Sequence, residues 1–209
     1  MSSGRRSRVV WGLLAASLWG VGCASRMTST EALGRGYLAE CRGDWPAAVS
    51  SFRQVAVRGE TLMGAVTEEE RLAALEGLAR ASVALGRPGE ALRVLGTLPG
   101  SVTTVADCRL MMLAAKLVAA SGQAQDADRM MTDVAGALRG MPEGAPHLRA
   151  EAFRWAGEAS LRGRRFEEAE RWLSLAVEAA RREGDAVSVR VCQELRRLAR
   201  TQTQTLRKK

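Results

Sequence analysis

The sequence predicts an all-α fold, and three observations support this prediction. Ala, Leu, Arg and Glu are abundant among the 209 residues, and all four are strong helix formers. Strand-forming residues are scarce, since the chain has no Ile, one Tyr and three Phe. An apolar pattern of helical period also recurs along the chain. Hydrophobic residues make up 46% and charged residues 26%, which is normal for a globular protein with a buried core.

The first 22 residues resemble a secretory signal peptide. Residues 5–8 supply three arginines, and residues 9–22 form an apolar stretch that ends in small residues. A membrane-spanning helix needs about 20 apolar residues, so this stretch is short for a permanent anchor. The segment therefore predicts export followed by cleavage.

Cys23 follows the apolar stretch directly. The arrangement Val21-Gly22-Cys23 resembles a bacterial lipobox, in which a small residue precedes a lipidated Cys that becomes the mature N-terminus. Gly20 departs from that pattern, because the position usually carries Leu or another aliphatic residue. The resemblance implies a lipid anchor on Cys23 and a short linker over 23–29. Secretion without a lipid and an uncleaved N-terminal anchor are the alternatives.

Ala24 bears on the membrane to which such an anchor would belong. In lipoproteins of Gram-negative bacteria an Asp directly after the lipidated Cys often means retention in the inner membrane. Ala24 stands at that position here. The resemblance therefore implies the outer membrane, with the protein facing the periplasm.

Four stretches further along the chain share an Ala that precedes a large apolar residue by four positions. The pairs are Ala48/Phe52, Ala91/Leu95, Ala127/Met131 and Ala169/Leu173. Residues spaced i and i+4 lie on one face of a helix. A small Ala lets two helices approach closely, and the large residue one turn later fills the space beside it.

A Gly precedes each of these Ala residues. Gly43, Gly86 and Gly122 come five residues before the Ala, whereas Gly163 comes six residues before it, which indicates one extra residue in the fourth stretch. Gly readily takes the left-handed conformation that ends a helix. Because another apolar, helix-like run precedes each Gly, every unit is predicted to be a helix, a tight turn and a second helix.

These units resemble the tetratricopeptide repeat (TPR) family. The resemblance covers about residues 30–183, in units at 30–57, 68–97, 105–138 and 148–183. The matching residues are Gly43, Asp44, Trp45, Ala48 and Phe52 in the first unit, Leu78, Gly86, Ala91 and Leu95 in the second, Gly122, Ala127 and Met131 in the third, and Gly157, Phe166, Ala169, Leu173 and Ala176 in the fourth. The resemblance implies an α-solenoid of about four helix-turn-helix repeats.

Local signals predict where some of the helices begin. Asp44 is placed to cap the second helix, and Thr67 with Glu70 forms a capping box. A last helix over about 185–200 carries an apolar stripe at Val187, Val191, Leu195 and Leu198. We predict that it caps the final repeat.

Residues 201–209 are predicted to form a solvated basic tail at the end of a chain with net charge +8. A basic cluster of this kind can also bind nucleic acid or an anionic membrane. No helix here alternates basic residues with stacking aromatics, so neither partner is expected.

No catalytic or metal-binding motif is recognisable, so the sequence predicts neither an enzyme nor a cofactor nor a small-molecule substrate. The single histidine, His147, is interpreted as a loop or helix-start residue. The acidic run 68–70 is explained by the positive end of a helix dipole. Cys41, Cys108 and Cys192 are interpreted as small buried apolar residues, of which at least one stays unpaired or pairs between chains.

The resemblance also implies a candidate binding surface, because the first helix of each TPR lines a concave face that binds peptides or proteins. The residues carried over are Tyr37 and Glu40, then Glu76 and Arg80, then Arg109, Met112 and Lys116, and finally Glu151, Arg154, Glu158 and Arg162. The alternative is that these side chains form an ordinary solvated surface. The chain lacks Asn, so it does not match the carboxylate-clamp subgroup of the family.

These observations lead to one functional hypothesis and two alternatives. The leading hypothesis is a non-enzymatic scaffold or assembly factor for protein partners, anchored by lipid in the bacterial cell envelope. The first alternative is a regulatory TPR module on the cytoplasmic side, held by an uncleaved N-terminal segment. The second is an enzyme, or a nucleic-acid binder that uses the basic tail.

Overall fold

The chain folds into a stack of helix pairs. The computed structural model describes residues 27–57, 65–96, 102–142 and 145–207, so the predicted signal peptide and Cys23 lie outside the described residues. Within those ranges there are nine α-helices and no strand. They are α1 (Ser29–Cys41), α2 (Trp45–Val57), α3 (Glu68–Ala84), α4 (Pro88–Leu95), α5 (Val105–Ala120), α6 (Ala124–Gly140), α7 (Pro146–Arg162), α8 (Phe166–Glu183) and α9 (Ala186–Arg207).

The helices pack in chain order. Each of the four pairs packs internally, and the second helix of a pair contacts the first helix of the next. The first helices of neighbouring pairs also touch, so that α1, α3, α5, α7 and α9 form one continuous row. Contacts restricted to neighbouring units define a solenoid. The predicted all-α, TPR-like architecture is therefore confirmed.

The turns inside the first three pairs are built as the sequence predicts. Gly43, Gly86 and Gly122 have φ values of +71°, +69° and +86°. In each turn the next residue donates its N–H to a carbonyl five residues back, for example from Asp44 to Ala39 at 2.9 Å. These bonds satisfy carbonyl groups that the helix end would otherwise leave without partners.

The turn of the fourth pair corrects the prediction. Gly163 has a φ of −77°, and Arg164 takes the left-handed conformation instead, with a φ of +57°. Arg165 then donates its N–H to the carbonyl of Ser160 at 2.8 Å, which repeats the bond of the other turns. Arg164 lies five residues before Ala169, so the fourth unit contains no extra residue and an arginine occupies the glycine position.

Close helix approach depends on a few large side chains facing glycines. Phe52 is completely buried, and its ring lies between Gly36 of α1 and Gly77 of α3. A Cβ added to either glycine would come within 2.6 Å of the ring. Leu173 has the same relation to Gly157, again at 2.6 Å. The large residues of the predicted Ala48/Phe52 and Ala169/Leu173 pairs are thus buried, but the small residues that they face most closely are glycines of other helices.

The first helices of the first three pairs begin with the same cap. The side chains of Thr28, Thr67 and Thr104 each accept a hydrogen bond from the backbone N–H three residues later. The acidic side chain at that later position accepts a hydrogen bond from the backbone N–H of the Thr. The predicted capping box at Thr67 is confirmed. Asp44 also caps α2 as predicted, since its Oδ1 accepts from the N–H of Ala47 at 3.2 Å.

The helix α5 joins two large groups of buried residues. Its residues Leu113 and Leu117 pack with α1–α4, whereas Cys108 and Met112 pack with α6–α9. Because one helix contributes to both groups, the two halves of the stack share a continuous interior.

The last helix differs from its prediction in two ways. It runs to Arg207, so residues 201–207 continue the helix, although all of them except Thr203 are exposed to solvent. Its buried residues are Cys192 and Ala199, while Val187 and Leu198 of the predicted stripe are 63% and 49% exposed. Leu195 of the same stripe packs against the buried cluster of Ala169, Leu173 and Ala199, so the predicted stripe lies only partly on the packed face of α9.

None of the described helices is both long enough and apolar enough to cross a membrane.

Candidate functional site

The exposed side of the row formed by α1, α3, α5 and α7 carries most of the predicted binding residues; we call it the first-helix surface. Glu40 of α1 faces Arg80 of α3 there. The Nε of Arg80 lies 2.7 Å from Oε1 of Glu40, and its Nη2 lies 3.0 Å from Oε2. This two-point pairing is the strong form of a charged hydrogen bond. It holds the pKa of Glu40 below its ordinary value, chiefly through the hydrogen bond from Arg80.

Arg109 of α5 makes the next link, to α3. Its Nη1 lies 2.8 Å from Oε1 of Glu69, and its Nη2 lies 3.0 Å from Oε1 of Glu76. The hydrogen bond to Glu69 raises the pKa of Arg109 most, and the one to Glu76 raises it further. One guanidinium group therefore joins two turns of the preceding first helix.

Lys116 of α5 continues the series to α7, with its Nζ 2.8 Å from Oε1 of Glu151. Arg154 and Glu158 form a looser pair within α7, at 3.8 Å. We use the term ion-pair ladder for the links between helices, which are Glu40–Arg80, Glu69–Arg109–Glu76 and Lys116–Glu151. The ladder satisfies most of the charges that the sequence assigned to a binding surface.

Two predicted surface residues lie elsewhere. Met112 is only 2% exposed and belongs to the core, so its assignment to the binding surface is wrong. Arg162 turns towards α6, where its Nη2 lies 2.6 Å from Oδ1 of Asp128. Trp155 donates to the same carboxylate at 2.8 Å. Arg162 thus ties α7 to the preceding second helix.

Tyr37 is the aromatic residue that the sequence placed on this surface. It is 40% exposed, and its ring packs edge-on against Phe52 with the ring centres 5.2 Å apart. Tyr37 therefore packs partly on the core and leaves part of its ring at the surface.

The cysteines and the histidine have structural surroundings. Cys108 and Cys192 are buried free thiols as predicted, whereas Cys41 is exposed, which corrects its interpretation as a buried residue. Burial raises the pKa of the Cys108 and Cys192 thiols, which makes them poor nucleophiles. His147 lies in the first turn of α7 as predicted. Among the described residues no group of three or more acidic, His or Cys side chains could hold a metal ion.

A second surface was not found from the sequence. An open hollow of about 870 Å³ lies between α6, α8 and α9 and is lined by four arginines. A smaller hollow of about 360 Å³ adjoins it and shares Arg139 and Leu175 with it. We call the two together the arginine cleft. The four arginines of the larger hollow are Arg139, Arg171, Arg200 and Arg207.

The arginine cleft has two kinds of arginine. Arg200 forms an ion pair with Glu170, and the Nη2 of Arg207 lies 2.6 Å from Oε1 of Glu167. Arg139 and Arg171 make no ion pair with any residue that the structure describes. The sequence signal for this site was the C-terminal basic cluster, but nothing in it indicated that α9 would lie beside Arg139 and Arg171.

Comparison with known proteins supports the fold. No protein-family model and no curated protein matches the chain. The structure is similar to a crystal structure of nearly identical TPR-like repeats from a kinesin light chain-like protein of Podosopora anserina. The match has a TM-score of 0.52 and 18% sequence identity, and covers 85% of this chain and 95% of the other. The chain therefore has a TPR-like repeat fold.

Proposed function

We propose that this protein is a non-enzymatic scaffold or assembly factor that binds protein partners in the bacterial cell envelope, where a lipid on Cys23 anchors it. The observation that carries the proposal is the open stack of helix pairs. Every pair contributes exposed side chains to surfaces that run along the whole stack. Repeat stacks of this kind bind proteins through such extended surfaces.

The position of Cys23 fits an anchor of this type. The first helix begins at Ser29, so the linker over 23–29 would span about 20 Å when fully extended. A lipid on Cys23 would therefore hold the first pair closest to the membrane and leave the far end, with the arginine cleft, accessible. A single acyl chain gives only weak membrane binding, so stable anchoring needs more than one.

Labelling with a radioactive fatty acid tests the anchor. We expect the wild type and a Cys41→Ala variant to incorporate the label and a Cys23→Ala variant to lose it. Cys41 is the matched control because it is an exposed thiol. Equal labelling of all three proteins, or of none, would contradict the lipid anchor. An intact N-terminus in mass spectrometry would favour the cytoplasmic alternative.

Affinity capture from solubilised membranes tests the scaffold role at the first-helix surface. An Arg80→Glu/Lys116→Glu variant reverses two charges of the ion-pair ladder, and we expect it to lose a partner that the wild type captures. A Glu40→Arg/Arg80→Glu variant keeps a pair between α1 and α3 with the charges exchanged. Loss of the partner in both variants identifies a surface contact, whereas capture of no partner by the wild type contradicts the scaffold role.

A further inference from the structure

We propose that the arginine cleft binds an acidic segment of a protein partner, whose carboxylates meet the arginines while its apolar side chains pack near Leu175. This inference rests on the proposed function, because it assigns one surface and one partner chemistry to the scaffold. Four observations support it: the size of the cleft, its charge, the position of α9 and the nature of its lining.

The size of the cleft suits part of a polypeptide. The larger hollow measures about 870 Å³ and the smaller about 360 Å³. Because they share Arg139 and Leu175, a bound segment could run from one into the other. Binding pockets for ligands typically measure about 300–1,000 Å³, so the larger hollow alone accommodates several side chains.

The charge of the cleft favours carboxylates. Four arginines face two glutamates, Glu167 and Glu170, in the larger hollow, which leaves it positive. Arg139 and Arg171 come from different helices and have no ion-pair partner among the described residues. A guanidinium group matches a carboxylate at two points. Two such groups beside one hollow are therefore suited to two acidic side chains of one segment.

The end of α9 forms one wall of the cleft. Ala199 is the last residue of α9 that is buried, and Arg200, Thr203, Gln204 and Arg207 line the larger hollow. The ion pairs to Glu170 and Glu167 fix this part of the helix against α8. Residues 200–207 thus shape the cleft without adding a buried side chain to the core.

The lining favours a protein segment over nucleic acid or a membrane. Phe153 is the aromatic residue that lines the cleft, and it is only 4% exposed, so bases would find no ring on which to stack. Glu167, Glu170 and Glu178 interrupt the positive surface and would repel a continuous row of phosphates. The arginines also line a hollow, whereas a flat membrane surface would reach only its rim.

Fluorescence anisotropy with a labelled peptide tests the proposal. The probe is a fluorescein-labelled peptide rich in Glu, with Leu at every fourth position, and its control carries Gln in place of each Glu. The full chain, purified in a neutral detergent, is compared with an Arg139→Glu/Arg171→Glu variant. We expect the wild type to bind the Glu peptide and not the Gln peptide, and the variant to bind at least about tenfold more weakly.

A matched variant separates the cleft from the general charge of the protein. Arg71 of α3 and Arg93 of α4 are exposed and make no ion pair with a described residue. An Arg71→Glu/Arg93→Glu variant changes the net charge by the same amount at a distant place. We expect it to weaken binding less than about threefold, because salt screens distant charges. Melting of both variants at the temperature of the wild type shows that folding is preserved.

Several outcomes would overturn the assignment. They are equal weakening by the two double variants, equal binding of the Glu and Gln peptides, and absence of binding by the wild type. An oligonucleotide or an anionic vesicle that loses affinity for the cleft variant while the Glu peptide does not would assign the cleft to that other ligand. If the wild type still captures a protein partner from membranes, any of these results would contradict only the role of the cleft and not the scaffold function.

Discussion

The first-helix surface and the arginine cleft use the same kinds of charged residue in opposite ways. On the first-helix surface, cations of one repeat meet carboxylates of the next, as between Arg80 and Glu40 or between Lys116 and Glu151. In the arginine cleft, Arg139 and Arg171 have no such partner among the described residues. The difference teaches that charges between stacked helices are used within the protein, whereas two of the four arginines beside the larger hollow, Arg139 and Arg171, are left without an ion-pair partner among the described residues.

The largest effect that we expect comes from separating α1 and α3 beneath the ion-pair ladder. A Gly77→Ala substitution places a methyl group against the Phe52 ring, so the ring or the helices must move. Overpacking of this kind lowers the free energy of unfolding by about 1–3 kcal/mol. Urea denaturation measures the loss, and a Phe52→Leu change in the same protein should restore part of it.

Gly136 of α6, in the helix that carries Arg139, provides the control. A Cβ there meets no atom within 4 Å, so Gly136→Ala should raise the free energy of unfolding by up to about 1 kcal/mol through helix propensity. Equal losses in the Gly77 and Gly136 variants would show that close approach beneath the ladder is not the cause.

A substitution in the turn between α7 and α8 should stabilise the protein. Arg164 has a φ of +57°, a conformation that costs a side-chain-bearing residue about 1–2 kcal/mol relative to glycine. We expect Arg164→Gly to raise the free energy of unfolding by about 0.5–1 kcal/mol after the added entropy of the unfolded chain is considered. Thermal or urea denaturation measures the change.

The reverse substitution at an equivalent turn tests the same explanation. Gly43 has a φ of +71° and open space around it, so Gly43→Ala should lower the free energy of unfolding by about 1 kcal/mol. A stabilising Gly43→Ala change would contradict the account of both turns.

Removal of one arginine from each surface measures the difference between them directly. Arg109→Ala breaks two ion pairs of the ladder, and ion pairs at a protein surface contribute about 0.2–1 kcal/mol each. Arg171→Ala breaks none within the described residues, so we expect its free energy of unfolding to stay within about 0.5 kcal/mol of the wild type. A larger loss for Arg171→Ala than for Arg109→Ala would reverse the comparison.

The smallest effect that we expect is the pH dependence of the free energy of unfolding that Glu40 of the ion-pair ladder causes. Arg80 lowers the pKa of Glu40 from its ordinary value of 4.5, so on acidification the unfolded chain binds the proton first. The stabilisation is therefore present above about pH 4.5 and is lost as the pH falls through the folded-state pKa. Urea midpoints between about pH 6 and pH 3 should fall less for Glu40→Gln than for the wild type.

The carboxylates that cap helices will contribute to the same acid loss. The pKa of Glu70 is lowered chiefly by a hydrogen bond from the Thr67 backbone, and that of Asp107 chiefly by one from the Thr103 backbone. Arg171→Ala should leave the pH profile unchanged, and a profile in Glu40→Gln identical to the wild type would assign the whole dependence to the caps.

Local features of the sequence were enough to predict most of the architecture. The glycine turns at Gly43, Gly86 and Gly122 and the cap at Thr67 all depend on residues close together in the chain. The left-handed conformation of Arg164 was not predicted, because the neighbouring Gly163 takes that conformation more readily and was assigned to it. A glycine count alone could not show which of the two takes the left-handed conformation.

The candidate site was harder to predict from the sequence. Family resemblance assigned Glu40, Arg80, Arg109 and Lys116 to the first-helix surface, where the structure places them, but it could not show that they would form ion pairs across that surface. It also could not show that Met112 would turn inwards, because Met112 lies on α5 between the two groups of buried residues that this helix joins. The arginine cleft depends on the length of α9. The sequence predicted that this helix ends at about residue 200, whereas it continues to Arg207.

The sequence by itself determined that this protein is a series of helix pairs, because helix period, caps and left-handed turns are set by residues a few positions apart. The tertiary structure decided which charges are paired and which face of α9 is buried. Glu40 and Arg80 are 40 residues apart in the chain, and Arg207 and Glu167 are separated by the same number. Contacts at that separation depend on how closely the helices pack, and buried side chains such as Phe52 and Ala199 set that distance.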